Sequence, residues 1–234
     1  MPPASDTPNS RPPIPILHLD EGFVAVSKPG GLLVHRTKES TDRVFLLQEL
    51  RNQLGRHVFP VHRLDRGASG AMLLAFTGED ARLLQQSLES PEALKEYLVL
   101  VRGSTSATFE VDRPLRSENG TPQAARTAFV KIAEFSRLSL LRARIFTGRR
   151  HQIRRHLSHE AHQVLGDTSH GKGRINQFFR DTYGLPRLCL HAARLELTHP
   201  RTAERLVLNA PLPDDLRSFL ERLPDCPREI VDRL

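Results

Sequence analysis

The apolar residues of this chain come in short, strand-length runs divided by turn-rich or charged segments, and no other feature constrains its fold as tightly. Phe23-Val24-Ala25-Val26 leads into the turn cluster Lys28-Pro29-Gly30-Gly31, with a strand expected to resume at Leu32. Ala71 to Phe76 is a continuous apolar run of strand length, and Lys95 to Arg102 is a buried strand closed by Gly103. Ala125 to Ala133 and Leu138 to Phe146 predict an antiparallel pair, and Leu188 to Leu197 and Leu206 to Leu208 two further strands. Residues 104–123 are polar, with Gly120 and Pro122, and are expected to form a loop or hairpin excursion.

Helical spacing interrupts these runs irregularly. Thr41 or Asp42 is placed to cap a helix carrying Val44, Leu47, Leu50 and Leu54 and ending at Gly55. Thr77-Gly-Glu-Asp80 has the form of a capping box opening a second helix through Leu83, Leu84 and Leu88. Arg150, Ile153 and Leu157 share a helical stripe, and Leu216, Phe219, Leu220 and Leu223 mark a closing amphipathic helix. Without a repeating strand–helix–strand rhythm, the class predicted is α+β, a mainly antiparallel (mixed) sheet with flanking helices. Residues 1–15 hold six prolines and no periodicity, which predicts a flexible Pro-rich tail before a single domain over 16–234.

Several function classes drop out at this level. No apolar run approaches the ~20 residues of a membrane span, and the N-terminus lacks a signal-peptide pattern, so a cytoplasmic protein with no membrane partner is expected. Cys189 and Cys226 lack the spacing of a disulfide scaffold or a zinc site. Eleven histidines include His156, His159 and His162, but without H-E-x-x-H or a carboxylate at ligand spacing no metal is expected. G-x-S-x-G, the Walker A loop and G-x-G-x-x-G are all missing.

Charge points elsewhere. Lys plus Arg number 34 against 27 Asp plus Glu, a formal +7, and Arg outnumbers Lys 29 to 5. That excess fits either guanidinium–phosphate recognition or the codon usage of a GC-rich genome. Two blocks concentrate it. In His62-Arg63-Leu64-Asp65-Arg66-Gly67-Ala68-Ser69-Gly70, one acid sits among cations that favour its ionised form, on a backbone that two glycines allow to turn tightly. Asp65 is thus either an anionic nucleophile or a turn cap paired with a neighbouring Arg. From Arg142 to His156 there are six Arg and no acid, a patch that repels itself unless phosphates or a carboxylate from another segment neutralise it. On a helix start, Arg150 and Arg154 would stand four apart on one side.

The segments HRLDRGASG, KEYLVLVRG, TGRRHQIRRHL and LCLHAARLELTHP, in that order, resemble the motifs of the RluA-type pseudouridine synthases, which are RNA-modifying isomerases. The similarity runs from about Leu17 to Leu212. The stretch from Val164 to Ala192 resembles the tRNA pseudouridine synthase C branch, whose members modify uridine 65 in the T stem. The resemblance implies the pseudouridine synthase fold with a central active-site cleft, no S4 RNA-binding module and no cofactor.

It also implies roles for residues. Asp65 becomes the catalytic acid, acting on C1′ of the ribose, on C6 of uracil, or in a glycal route. Tyr97 becomes the active-site tyrosine, and Arg154 the basic residue that pairs with the acid. RNA or substrate contacts are expected from His62, Arg63, Arg149, Arg150, His151 and Gln152, with Leu190 either an apolar wall under the uracil or an ordinary core leucine. Arg174 and Arg180 are expected to strengthen RNA binding. The expected partner is RNA, foremost tRNA with ribosomal RNA as the alternative substrate, and the expected state is a monomer. A non-catalytic RNA-binding protein on the same scaffold is the rival reading.

Overall fold

Strand-forming segments pair into one ten-stranded sheet in a computed structural model that describes residues 12–36 and 40–234. Its strands are β1 (Ile16–Leu19), β2 (Phe23–Lys28), β3 (Phe59–Pro60), β4 (Ser69–Ala75), β5 (Leu94–Arg102) and β6 (Thr108–Asp112). A two-residue pair, β7 (Leu115–Arg116) with β8 (Pro122–Gln123), stands apart, and β9 (Arg126–Phe135), β10 (Leu138–Ile145), β11 (Leu190–Thr198) and β12 (Arg205–Asn209) complete the main sheet. The order is β1-β2-β4-β11-β5-β10-β9-β6, with β3 added to β4 and β12 to β11. Every pairing is antiparallel except β4 with β11.

Period-two alternation sorts the side chains of these strands onto two faces. Val99 and Val101 of β5 join Met72 and Leu74 of β4 in one core, which α1 (Leu46–Leu54) and α3 (Gln152–His159) cover with Leu46, Leu50, Ile153 and Leu157. On the other face, Leu98 and Leu100 pack with Phe179 of α4 (Gly173–Tyr183) and Phe219 of α5 (Asp214–Arg222). Ala71 and Leu73 pack with Leu84 of α2 (Gly78–Glu89). A short α6 (Arg228–Val231) follows α5. None of the described helices is long and apolar enough to cross a membrane.

Several expectations change. The tail expected at 1–15 lies largely outside the described residues, but its end is docked: Ile14 is buried and its backbone exchanges hydrogen bonds of 2.8 and 3.0 Å with the Gln53 amide. One apolar residue among prolines has no periodicity to announce it. Helix α1 starts at Leu46, not after Thr41 or Asp42, and the Asp42 carboxylate instead accepts from Arg66 at 2.8 Å. No strand resumes at Leu32; Leu33 makes an isolated bridge to Phe45. The polar excursion at 104–123 contains β6, whose five residues pair with β9. Helix α3 begins at Gln152, so Arg150 lies outside it and does not share a face with Arg154.

Where β4 and β11 run parallel, they meet at two positions, Ser69 opposite His191 and Gly70 opposite Ala192. Gly70 has φ +113°, and a Cβ there would lie 2.2 Å from the Ala192 carbonyl oxygen. Only glycine permits this approach. Gly70→Ala is expected to lower stability by at least about 3 kcal/mol, read as a shift of the urea midpoint. An unchanged midpoint would show that the contact relaxes freely.

Candidate active site

The acid-bearing loop between β3 and β4 is fixed from two sides. Lys28, fully buried at the end of β2, donates through Nζ to the carbonyls of Pro29 and Leu32 at 2.8 Å and of Arg66 at 3.4 Å. Burial, with the nearby Arg187 charge, pushes its pKa down to about 7 against the opposing pull of Asp65. On the opposite side Arg187 donates to the carbonyl of Gly67 (3.1 Å) and to Ser69 Oγ (3.0 Å), and pairs with Asp215 of α5 at 2.6 Å. Ser69 and His191 Nδ1 lie 2.9 Å apart, and His191 Nε2 lies 2.9 Å from the Ala210 carbonyl. That carbonyl requires the proton on Nε2, which leaves Nδ1 to accept from the serine hydroxyl.

Asp65 projects from this loop toward α3. Helix α3 turns its apolar stripe into the core, and Arg154 follows it inward to 6% exposure. Its fork is filled: Nη1 donates to Asp65 Oδ2 at 2.8 Å, while Nε and Nη2 grip Asp167 at 2.7 Å each. Asp167 is buried and also accepts from the backbone N–H groups of Ser169 and His170 at 2.9 Å. Burial drives the Asp167 carboxyl upward, but Arg154 and these donors outweigh it and hold its pKa below the ordinary value. A buried guanidinium is tolerable because its charge and N–H groups are matched in this way. The Asp65 side chain keeps 23% exposure and opens to the cleft.

That cleft, about 580 Å³ in volume, runs between the acid loop, β5, the end of β10 and the start of α3. Asp65, Tyr97 and Arg154 line it together, although 32 and 57 residues separate them in sequence. Tyr97 is buried, and burial with the Asp65 charge raises its phenol pKa, so the hydroxyl stays protonated. Leu190 is both wall and core, being buried and lining the cleft. Arg63 and Arg149 are exposed at the mouth, with Arg149 Nε donating to the Ala124 carbonyl at 3.0 Å.

Other expected residues are differently occupied. Gln152 reaches the cleft, but its amide braces the loop before α3, accepting from Thr147 Oγ1 and the Arg149 N–H and donating to the Arg126 carbonyl and Thr127 Oγ1. His62 accepts the Leu73 N–H at 3.0 Å through Nε2, and burial pushes its pKa down to about 4, with Lys95 adding. His151 faces Asp65 Oδ1 at 3.7 Å. Arg150 is outside the cleft, exposed and paired with Glu118. Arg174 and Arg180 sit on α4, also off the cleft lining. His156 is taken up by Thr127 and the Arg113 carbonyl, and His162 by the Arg102 carbonyl.

Asp167, Lys28 and Arg187 escaped the reading of the sequence. Asp167 had a signal: only Glu160 and Asp167 are acidic between the Arg-rich block and Asp181. Lys28 and Arg187 had none, because both act on main-chain carbonyls, which no residue pattern identifies. Chemically, the site offers an anionic oxygen beside a neutral phenol and an apolar wall, with cations at its entrance. Such a site suits a planar ring carried on a polyanion.

Residues 22–159 match the family described as RNA pseudouridylate synthase. Among curated relatives, "tRNA pseudouridine synthase C" of Vibrio vulnificus is 36% identical over 230 residues, covering 88% of this chain and 94% of the relative. The protein of the same name from Haemophilus ducreyi is 37% identical over 217 residues, covering 83% and 89%. Among solved structures, "Human RNA Pseudouridylate Synthase Domain Containing 4" superimposes with a TM-score of 0.73 at 25% identity, covering 89% of this chain and 92% of that one. "Human RNA Pseudouridylate Synthase Domain Containing 1" shares the fold, with a TM-score of 0.69 at 22% identity and coverage of 86% and 83%.

Two of the neutral histidines, the ones shifted furthest, give the scaffold a defined response to acid. His62 and His191, each pushed down to about 4 from 6.5 chiefly by burial, bind protons in the unfolded chain before the folded one. Their stabilisation is therefore complete above pH 6.5 and is lost as pH falls toward 4, on the order of 2 kcal/mol per ring. The depressed Asp167 carboxyl adds a further loss only below its ordinary 3.8. Urea midpoints measured from pH 8 to 3 should decline modestly toward pH 7, where buried Lys28 takes up its proton, and further below pH 6.5, where His62→Gln should flatten part of the decline. A level midpoint down to pH 4 would contradict the neutral assignment.

Proposed function

The chain belongs to the RNA pseudouridylate synthase family, and from that premise we propose that it converts uridine 65 in the T stem of tRNA to pseudouridine, with Asp65 as the nucleophile. It is an isomerase acting on RNA. The narrower substrate rests on relatives named tRNA pseudouridine synthase C at 36–37% identity over most of both chains. The observation that carries the mechanistic part is the ion pair of Arg154 with Asp65 at 2.8 Å, anchored on buried Asp167. It holds the carboxylate aimed at the cleft, as attack on an electrophilic carbon requires.

The chemistry follows from this arrangement. A uridine within a stem must leave its stack before it can enter a pocket of this size. Arg63 and Arg149 at the mouth are suited to the phosphates beside it, and Tyr97 and Leu190 to the two faces of the ring. Asp65 then assists cleavage of the N1–C1′ bond, the uracil rotates, and C5 bonds to C1′. C5 loses its proton and N1 gains one, so the product is an isomer and no electrons are transferred. The neutral phenol of Tyr97 fits a hydrogen-bond donor to the freed base better than a phenolate base. Residues from Ile16 onward act as one catalytic domain, which recognises RNA through its own basic surface.

RNA carrying tritium at uracil C5 should release it with the wild-type protein and not with Asp65→Asn, while RNA affinity is retained. Arg154→Ala should reduce release nearly to background. Equal release from wild type and Asp65→Asn would remove the nucleophile assignment. Base-resolution mapping in a strain lacking the gene should show loss at uridine 65 of tRNA, and loss at a ribosomal position instead would redirect the substrate.

A further inference from the structure

His170 has no role assigned from the sequence, yet it completes a closed circuit around the acid. Asp65 is held by Arg154, Arg154 by Asp167, and Asp167 Oδ1 by the His170 backbone N–H at 2.9 Å. The His170 ring returns the circuit, with Nε2 3.1 Å from His151 Nδ1, and His151 Nε2 faces Asp65 Oδ1 at 3.7 Å. The rings meet edge to face, 76° apart with centroids at 5.3 Å. The backbone of His170 is pinned further by Ser158 Oγ, which donates to its carbonyl at 3.2 Å.

We propose that His170 is a positioning residue for the reaction: its hydrogen bond fixes His151 as the tautomer that turns an N–H toward Asp65. This rests on the reading of Asp65 as the nucleophile. Two arrangements of the bond are possible. If His151 donated from Nδ1, the lone pair of its Nε2 would face a carboxylate oxygen, which is repulsive. If His170 donates from Nε2, the Nε2–H of His151 faces that oxygen, which is attractive. The carboxylate then has Arg154 at Oδ2 and an oriented imidazole N–H beside Oδ1, which fixes its plane relative to the cleft.

Backbone geometry supports a purpose for His151 at this place. It occupies the left-handed region at φ 53° as the residue before α3, a conformation that costs a non-glycine residue energy and persists where surrounding contacts impose it. The groups facing His151 are Asp65 from the acid loop, Arg154 from α3, Arg150 from the preceding turn, and His170. Those facing His170 are Asp167, Asp65, Arg154 and Arg155. Burial lowers the pKa of both rings below 6.5, so both are neutral at pH 7 and the tautomer is a defined property.

The test compares the wild type with His170→Phe, which deletes the donor, and His170→Gln, which supplies an amide N–H. Nitrogen-15 correlation spectra of the histidine rings, with His151 assigned by its own replacement, should show the Nε2–H form in the wild type and in His170→Gln, and a mixture in His170→Phe. Turnover in His170→Phe should fall about tenfold, with a displaced pH profile. KM for RNA should stay within about twofold, and His170→Gln should recover most of the loss. An Nδ1–H form of His151 in the wild type overturns the proposal whether or not the variants fold. So does a His170→Phe variant with wild-type turnover and pH profile, or an equal loss in both variants. Absence of pseudouridine formation by the wild type would instead overturn the functional reading, since the tautomer is read on the free protein.

Discussion

Arg154 carries the architecture of the cleft. A guanidinium at 6% exposure is tolerated only if its charge is matched and its fork is filled, and three bonds to Asp65 and Asp167 do both. The two acids are not equivalent. Asp167 is buried and takes two of the three bonds along with two backbone donors, so it acts as the anchor. Asp65 takes one bond from the guanidinium and keeps an edge open to the cleft.

The loop that presents Asp65 has little regular structure of its own. Its shape comes from basic side chains that donate to main-chain oxygens: Lys28 on one side, Arg187 on the other, the latter secured by Asp215 on α5. These contacts tie the loop to β2, to the segment before β11 and to a helix on the opposite face of the sheet. Basic residues thus stand in two settings in this protein, fixing backbone in the interior and lining the mouth of the cleft, and the interior ones are the less visible in the sequence.

Membership of the RNA pseudouridylate synthase family and the site geometry inform different parts of the account. The family gives the reaction class, and the proposed tRNA substrate rests on the names of relatives. The distances show how this particular carboxylate is held by Arg154 in the cleft lined by a buried tyrosine whose phenol stays neutral. They also separate residues that the Arg-rich block presents as alike: Arg154 is buried and committed, Arg149 stands at the mouth, and Arg150 turns away to Glu118.

Much of this was legible in the sequence because it depends on period and order. Strand-length apolar runs revealed β2, β4, β5, β9, β10 and β11, Thr77 did cap α2 through its bond from the Asp80 N–H at 3.0 Å, and four ordered motifs singled out Asp65, Tyr97 and Arg154, which the fold brings to one cleft. Short or polar-flanked elements such as β6 lacked enough period to register, whereas helix α4 went unexpected although Ile175, Phe179 and Tyr183 recur at spacings of four. What only the tertiary structure decided is which groups partner which. Asp167, His170, Lys28 and Arg187 matter through contacts made across long separations or through backbone atoms. A one-dimensional pattern encodes how a segment buries its side chains, whereas pairing depends on where the sheet brings distant segments together.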